Sequence, residues 1–288
     1  MRRALLALAT LAVAGAASAA EPNRWGEART PSIGPPMVVG KHAHGCIGGA
    51  AALPGDGAGY QVLRLHRRRN HGHPATVGFV QSLGRYAAAQ GLGILLVADM
   101  GQPRGGPMPS DHASHQSGLD VDVWFRRTAA PLPEAEREKP LAVDMLLPDG
   151  KAVDPARFGP AEIDLLRHAA TRPEVDRILV NPAIKTALCA QVQGDRRWLR
   201  RIRPWWGHNM HFHVRLSCPP GQDACEDGLA LPAGEGCDKE LAWWFSADAA
   251  RTLADRLARA RAEPPKPKPL PAACAAILAA PARTESRR

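Results

Sequence analysis

The sequence has no heptad run, no repeat of fixed period and no collagen-like triplet, which excludes coiled coils, solenoids and fibres. It has no P-loop signature and no G-x-S-x-G elbow, so two common routes to phosphate and acyl-transfer chemistry lack their motifs. No two cysteines are spaced C-x-x-C, which argues against a structural zinc cluster. Beyond the first twenty residues no stretch approaches the ~18 apolar residues of a membrane span. Aromatic residues are scarce at 5%, although seven are Trp against five Phe and two Tyr. Charged residues make up only 23% and hydrophobic residues 45%, which excludes a charge-driven disordered chain and supports a sizeable core. The 288 residues allow one large domain or two ordinary ones, and 27 Gly with 27 Pro predict a loop-rich body.

What is present begins at the amino terminus. Met1-Arg2-Arg3 is basic, Ala4 to Gly15 is an unbroken apolar run, and Ala17-Ser18-Ala19 has the small-x-small pattern of a cleavage site. This predicts a secretory signal peptide over residues 1–19, cut after Ala19 or Ala20. The run is too short to span ~30 Å of hydrocarbon as an anchor. Removing Arg2 and Arg3 lowers the net charge from +9 to +7, still basic and suited to an anionic polymer. The basic stretches His66 to Asn70 (HRRRN) and Arg196 to Arg203 (RRWLRRIR) read as solvated faces rather than a nucleic-acid surface. Arg203 or Arg215 is placed to meet a substrate carboxylate.

All six cysteines (Cys46, Cys189, Cys218, Cys225, Cys237, Cys274) lie in the exported part, so three disulfides are expected. Six cysteines allow 15 pairings, and the sequence alone does not choose among them. Cys218 and Cys225 flank a short polar turn (PPGQDA) and are placed to close a local loop.

Hydrophobic spacing predicts helices over 74–90, 160–170, 182–192 and 249–262, and strands over 60–65, 93–98, 119–125, 177–180 and 211–217. Residues 21–60 are Gly/Pro-rich and read mostly as loop, as do 101–111 and 128–158. The elements do not repeat as β-α-β-α, which favours an α+β fold over a doubly wound sheet.

Two histidine clusters carry the chemistry: DHASHQSGLDVD at 111–122 and WWGHNMHFH at 205–213. Period two puts His211 and His213 on one face of their strand, and Asp120 and Asp122 on one face of theirs. Pairing the two strands would bring His213 and Asp122 together with the loop residue His115. Two imidazoles and one carboxylate form a common catalytic zinc shell, with the fourth position left for water. Zinc lowers the pKa of such a water towards ~7, and neighbouring histidines can take or return its proton. An isolated H-x-H is weak, since histidines reach that spacing by chance, so the weight rests on the two clusters together. His42, His44, His66 and His168 lack such context, and His71 and His73 precede a helix and read as structural.

These residues resemble the penicillin-insensitive murein endopeptidase family, within the wider group of lysostaphin-type peptidases, D-Ala-D-Ala peptidases and hedgehog domains. The group's pattern is a His, six residues, an Asp, and later His-x-His, here His115, Asp122 and His211-Phe212-His213. Closer marks are HASHQSGLDVD at 112–122, RPWWGH and HFHVRLSCP within 203–219, VNPAIKTALC at 180–189, and GHP at 72–74. The likeness runs from about Gly45 to Cys237 and includes the tail with Cys274.

The resemblance implies a periplasmic zinc peptidase that cuts peptidoglycan cross-links, chiefly the D-alanyl–meso-diaminopimelyl bond. Its fold would be a single compact α+β domain with the zinc site on an antiparallel sheet, spanning 20–247. Residues 248–288 would hold a basic helix that is not part of the family's pattern and a Pro-rich tail tied back through Cys274. His115, Asp122 and His213 would be the Zn2+ ligands, His211 the general base or the polarising group, and His208 its assistant. The implied disulfides are Cys46–Cys274, Cys189–Cys237 and Cys218–Cys225. A second metal site in such proteins would use His112, Asp149 and a histidine where this chain has Ala152. Asp111 stands where the family tends to have Gly. The competing expectations are a non-catalytic, zinc-stabilised wall-binding module and a D-Ala-D-Ala carboxypeptidase.

Overall fold

The computed structural model describes residues 23–110, 112–262 and 268–283. The expected signal peptide, Asp111 and residues 263–267 of the Pro-rich segment lie outside the described residues. The described chain opens with a one-turn helix, α1 (Arg24–Glu27), capped by the Asn23 side chain, which accepts from Trp25 N and Gly26 N. Then β1 (Met37–Lys41) and β2 (His44–Gly48) form an antiparallel hairpin with Lys41 opposite His44. This corrects the expectation of loop over 21–60. The glycines that read as loop formers are what the hairpin needs. Gly40 has φ +72°, and a Cβ there would lie 2.4 Å from His44 O.

Short strands β3 (Ala51–Ala52), β4 (Asp56–Gly57), β5 (Tyr60–Val62) and β6 (His71–Gly72) lead into α2 (Pro74–Ala89). Pro74 starts α2 where no amide donor is missed, the His73 ring accepts from Ala75 N, and Phe79, Val80, Leu83 and Ala87 form its buried stripe. His73 is thus structural, as expected. Next come β7 (Ile94–Val97), β8 (Asp120–Thr128), the short α3 (Glu134–Glu138), α4 (Pro160–Thr171), β9 (Val175–Val180) and α5 (Pro182–Gln191). The chain continues through β10 (Ile202–Pro204), β11 (His211–Leu216), α6 (Lys239–Trp243), α7 (Ala247–Ala262) and α8 (Ala272–Ala279).

Seven strands form one sheet in the order β10-β9-β11-β8-β7-β5-β4. The middle four are antiparallel, but β10 runs parallel to β9 and β5 parallel to β7. The expected antiparallel sheet is therefore mixed. Each parallel pair needs a crossover, and α2 and α5 supply them. The elements of the first unit, β5, α2 and β7, are each expected from the sequence but their parallel pairing is not, and the second unit escapes sequence reading because β10 is only three residues long.

Val121, Val123 and Phe125 of β8 join Phe212, Val214 and Leu216 of β11 in the main core, beneath α2, α4 and α5. Alternate residues face the other way, where Leu63, Leu96, Ala98 and Trp124 make a smaller cluster. The sequence predicts one buried face for β8, yet Asp120 and Asp122 are buried too, because residues on the other side of the sheet cover them. The covering loop, 101–118, is pressed close: Gly105 has φ +64°, and a Cβ there would lie 2.0 Å from Gln116 O.

The three disulfides are Cys46–Cys274, Cys189–Cys237 and Cys218–Cys225. The first binds α8 to the β1–β2 hairpin. Arg104 from the 101–118 loop reinforces that contact, its Nη1 donating to Ile277 O, Leu278 O and Ala280 O at 3.0, 2.7 and 2.7 Å. Cys189–Cys237 joins α5 to the segment before α6. Beside it Lys185 is fully buried and its Nζ donates to Leu199 O at 2.7 Å and Glu235 O at 2.6 Å. Burial, with Arg203 nearby, pulls its pKa down to about 7. Lys185→Met would keep the stem and leave two carbonyls without their donor. We expect a loss of about 2–3 kcal/mol in a urea unfolding midpoint experiment. An unchanged midpoint would mean water replaces the ammonium without cost.

Candidate metal centre

The register of β8 against β11 builds the site. His213 stands directly opposite Asp122 and Arg215 opposite Asp120. Residues facing each other across antiparallel strands share a face, so the two carboxylates and the histidines His211 and His213 converge. His213 Nδ1 lies 3.0 Å from Asp122 Oδ1, and His211 Nε2 lies 3.7 Å from Asp122 Oδ2. His115 enters from the 101–118 loop with its Nε2 3.5 Å from Asp122 Oδ1. The expected set of His115, Asp122 and His213 is thus brought together, with His211 beside it.

Asp120 organises this face. Its carboxylate accepts from His115 N at 2.9 Å and from Arg215 Nε at 2.9 Å, and His213 Nε2 lies 3.1 Å from its Oδ1. Burial would raise its pKa, but Arg215, His213 and His42 hold it well below the usual carboxylate range. The sequence placed Asp120 on the right face and gave it no role. Asp120→Asn would weaken its hold on Arg215 and on the His213 ring. We expect a 10- to 100-fold loss of metal affinity by competition with a chromophoric chelator. Unchanged affinity would show that packing alone orients His213.

Asp99 is a second carboxylate the sequence reading missed. It follows the apolar run of β7 and is buried, accepting from Arg69 Nη1 at 2.9 Å, with His112 Nε2 also at 2.9 Å. The signal was a lone carboxylate closing a buried strand. Its backbone O accepts from Asp122 N, which ties it to the site. His112 also turns Nδ1 to within 3.7 Å of Asp122 Oδ2. Ligand atoms of His112, His115 and Asp122 all lie within 4.8 Å of one another. Asp149 does not belong to that group, and its carboxylate accepts from Lys151 N at 3.0 Å.

His208 precedes β11 and donates through Nδ1 to Trp206 O at 2.9 Å, which leaves Nε2 as an acceptor. Its ring centroid is 4.9 Å from that of His211. Burial lowers its pKa to about 4 and lowers that of His211, so both are neutral near pH 7. His115 and His208 both have left-handed backbones, with φ of 64° and 54°. Such conformations cost on the order of 1–3 kcal/mol and gather at functional sites. Of the remaining histidines, His42 is buried with its Nε2 2.9 Å from Leu216 O, His66 pairs with Glu138 and His168 stacks on Tyr86. Arg215 holds Asp120 and Arg203 pairs with Glu240, so both already have a carboxylate and the expectation that either meets a substrate is not supported.

The donor set fits a metal ion on one local observation. His115 Nδ1 lies 2.6 Å from Met100 O, and a carbonyl only accepts, so Nδ1 carries the proton. Burial depresses the His115 pKa, so its ring is neutral and Nε2 presents a lone pair. That lone pair faces Asp122 Oδ1. Both atoms are buried, and neither has a hydrogen-bond partner. Two acceptors opposed at 3.5 Å repel unless a cation lies between them. His213 differs: against the effect of burial, Asp120 and Asp122 raise its pKa to about 9, so its Nε2 carries a proton toward Asp120 Oδ1 at 3.1 Å while Nδ1 faces Asp122.

The family model described as penicillin-insensitive murein endopeptidase matches residues 38–279. A Klebsiella pneumoniae (strain 342) protein named penicillin-insensitive murein endopeptidase is 43% identical over 245 residues, covering 85% of this chain and 89% of that protein. Proteins of the same name from Salmonella arizonae and Salmonella newport show the same identity and coverage.

Proposed function

The chain belongs to the penicillin-insensitive murein endopeptidase family, and from that membership and the site we propose an exported zinc peptidase acting on the D-alanyl–meso-diaminopimelyl cross-link. Its activity is that of a murein endopeptidase. The ion, the bond and the periplasmic location are our reading. No helix among the described residues is long and apolar enough to cross a membrane. Removal of residues 1–19 would leave the catalytic part over 20–247, followed by the basic helix and tail.

The observation that carries the zinc assignment is the opposed pair of unpartnered acceptors, His115 Nε2 and Asp122 Oδ1. His115, Asp122 and His213 would hold the ion, the first through Nε2 and the last through Nδ1. When bound, zinc would polarise the scissile carbonyl and make water acidic enough to attack near neutral pH. The protein's own groups do the rest. Met100 O and Asp120 fix the two ligand rings, as outer partners do in metal sites. His211 is neutral because it is buried, so it can take the proton of the attacking water and return it to the leaving amine. His208 Nε2 is the neighbouring acceptor, held in that tautomer by Trp206 O. No serine takes part, which leaves a β-lactam nothing to acylate. His211→Ala is expected to keep its metal and lose about 10²-fold in kcat. Loss of metal together with activity would make His211 a ligand instead.

The test uses the mature protein on purified cross-linked muropeptide dimers, with products read by mass spectrometry. Conversion of dimers to monomers that a chelator stops, zinc restores and a β-lactam leaves untouched is the expected result. Release of terminal D-Ala alone would move the assignment to a carboxypeptidase. Bound zinc without cleavage would leave a wall-binding module.

A further inference from the structure

Four of the seven tryptophans meet in one cluster beside the catalytic histidines. Trp205 and Trp206 precede Gly207 and His208, while Trp243 ends α6 and Trp244 caps it. Trp206 touches Trp205, Trp243 and Trp244 at ring-centroid distances of 5.7, 6.1 and 4.7 Å. Such a cluster would ordinarily be core, yet Trp205 and Trp243 are each 39% exposed and Phe245 is 51% exposed. Large apolar surface left open to water marks a place where something docks.

The cluster is held rigidly. Cys189–Cys237, the ion pair of Arg203 with Glu240, and Lys185 Nζ on Glu235 O clamp the segment that carries α6. Beyond it α7 is almost entirely exposed, with only Ala249 buried. Ala249, Leu253 and Arg256 share one helical stripe. The Arg256 guanidinium lies 5.4 Å from the Trp205 ring centroid and 5.3 Å from that of Trp206. Arg251 pairs with Asp248. Arg259 and Arg261, on the last turn, are exposed and have no carboxylate partner among the described residues. Flat aromatic rings carry one guanidinium, that of Arg256, against them, and α7 extends exposed positive charge from that edge through Arg259 and Arg261. That combination suits sugar rings, which stack on aromatic faces, and the carboxylates of attached peptides.

We infer that the Trp205–Trp206–Trp243–Trp244 cluster and the arginines of α7 form a docking surface for a peptidoglycan strand adjoining the cross-link being cut. The inference rests on the murein endopeptidase reading of the site. Two features favour this occupant over a second copy of the chain. The surface is continuous with the site, since Trp206 O holds the His208 ring. Its free charge is positive, which opposes self-association and matches an anionic glycopeptide.

The experiment compares the native mature protein with Trp243→Ala, Arg256→Ala and the double variant Arg259→Glu/Arg261→Glu, the last on exposed positions that bear no packing. Each is assayed on intact sacculi and on soluble muropeptide dimers, co-sedimented with sacculi, and its solution mass is measured by light scattering. The expected result is a roughly tenfold loss of turnover at low sacculus concentration and of co-sedimentation, with kcat/KM on dimers unchanged. Equal losses on both substrates would reduce the cluster to a support for His208 and overturn the docking role. No loss on either would overturn it as well. So would a native dimer that becomes a monomer in the variants, since a second copy would then cover the surface. If the native protein cut neither substrate, the enzymatic reading would fail, while co-sedimentation would still decide whether the cluster binds wall polymer.

Discussion

His115→Ala and Asp122→Ala proteins are expected to lose bound zinc and at least about 10³-fold of their cleavage of muropeptide dimers. The magnitude follows from the several kcal/mol a metal contributes to charge stabilisation in the transition state, at tenfold per ~1.4 kcal/mol. The geometry makes the two variants informative in different ways. His115→Ala removes one of two opposed acceptors and leaves Asp122 near His211 and His213. Without metal, that change relieves repulsion but also opens a cavity at a fully buried position and strips Met100 O of its donor, so metal content rather than melting temperature tells the variants apart. Asp122→Ala removes the group that holds a negative charge among four imidazoles, and its metal loss should survive any added zinc. Metal content by mass spectrometry and dimer turnover are the two readings. Stoichiometric zinc with full turnover in either variant would remove the proposed centre.

Breaking Cys46–Cys274 by a double serine replacement is expected to cost about 5 kcal/mol of unfolding free energy. In the chain-entropy account a disulfide stabilises by shortening the loops open to the unfolded chain, and this one spans 228 residues. The same account gives about 4 kcal/mol for Cys189–Cys237, separated by 48, and about 2 kcal/mol for Cys218–Cys225, separated by 7. The order is the sharper prediction. Urea midpoints of the three double variants should rank by loop length. A larger loss for Cys218–Cys225 than for Cys46–Cys274 would show that native contacts, rather than chain entropy, set the contribution.

Much of the site was legible because strand periodicity does two things at once. In LDVDVWF and HFHVRLS it reported both the strand and the face, and the register then put His213 opposite Asp122. Asp120 was on the page for the same reason, but periodicity cannot say what covers a face. Only the 101–118 loop, folded over it, turns an alternating polar position into a buried carboxylate that holds Arg215 and the His115 amide. Asp99 and His112 belong together through tertiary packing and left no spacing to read. The hairpin at 37–48 was hidden by its composition, since Gly40 and Gly45 serve close backbone approach rather than chain flexibility. The edge strand β10 was hidden by its brevity, and the parallel pairing of β5 with β7 by the absence of any local signal for partner direction.

The strap formed by α8 also sets an order of events. The hairpin behind the site is joined to residue 274, and Arg104, on the loop that bears His115, reaches carbonyls at 277, 278 and 280. A chain delivered amino terminus first presents every candidate ligand long before these anchors arrive. Until its last segment emerges, such a chain holds the chemistry of the site without its rigidity. The site is thereby made rigid last, and the Cys46–Cys274 anchor closes only where cysteines can be oxidised.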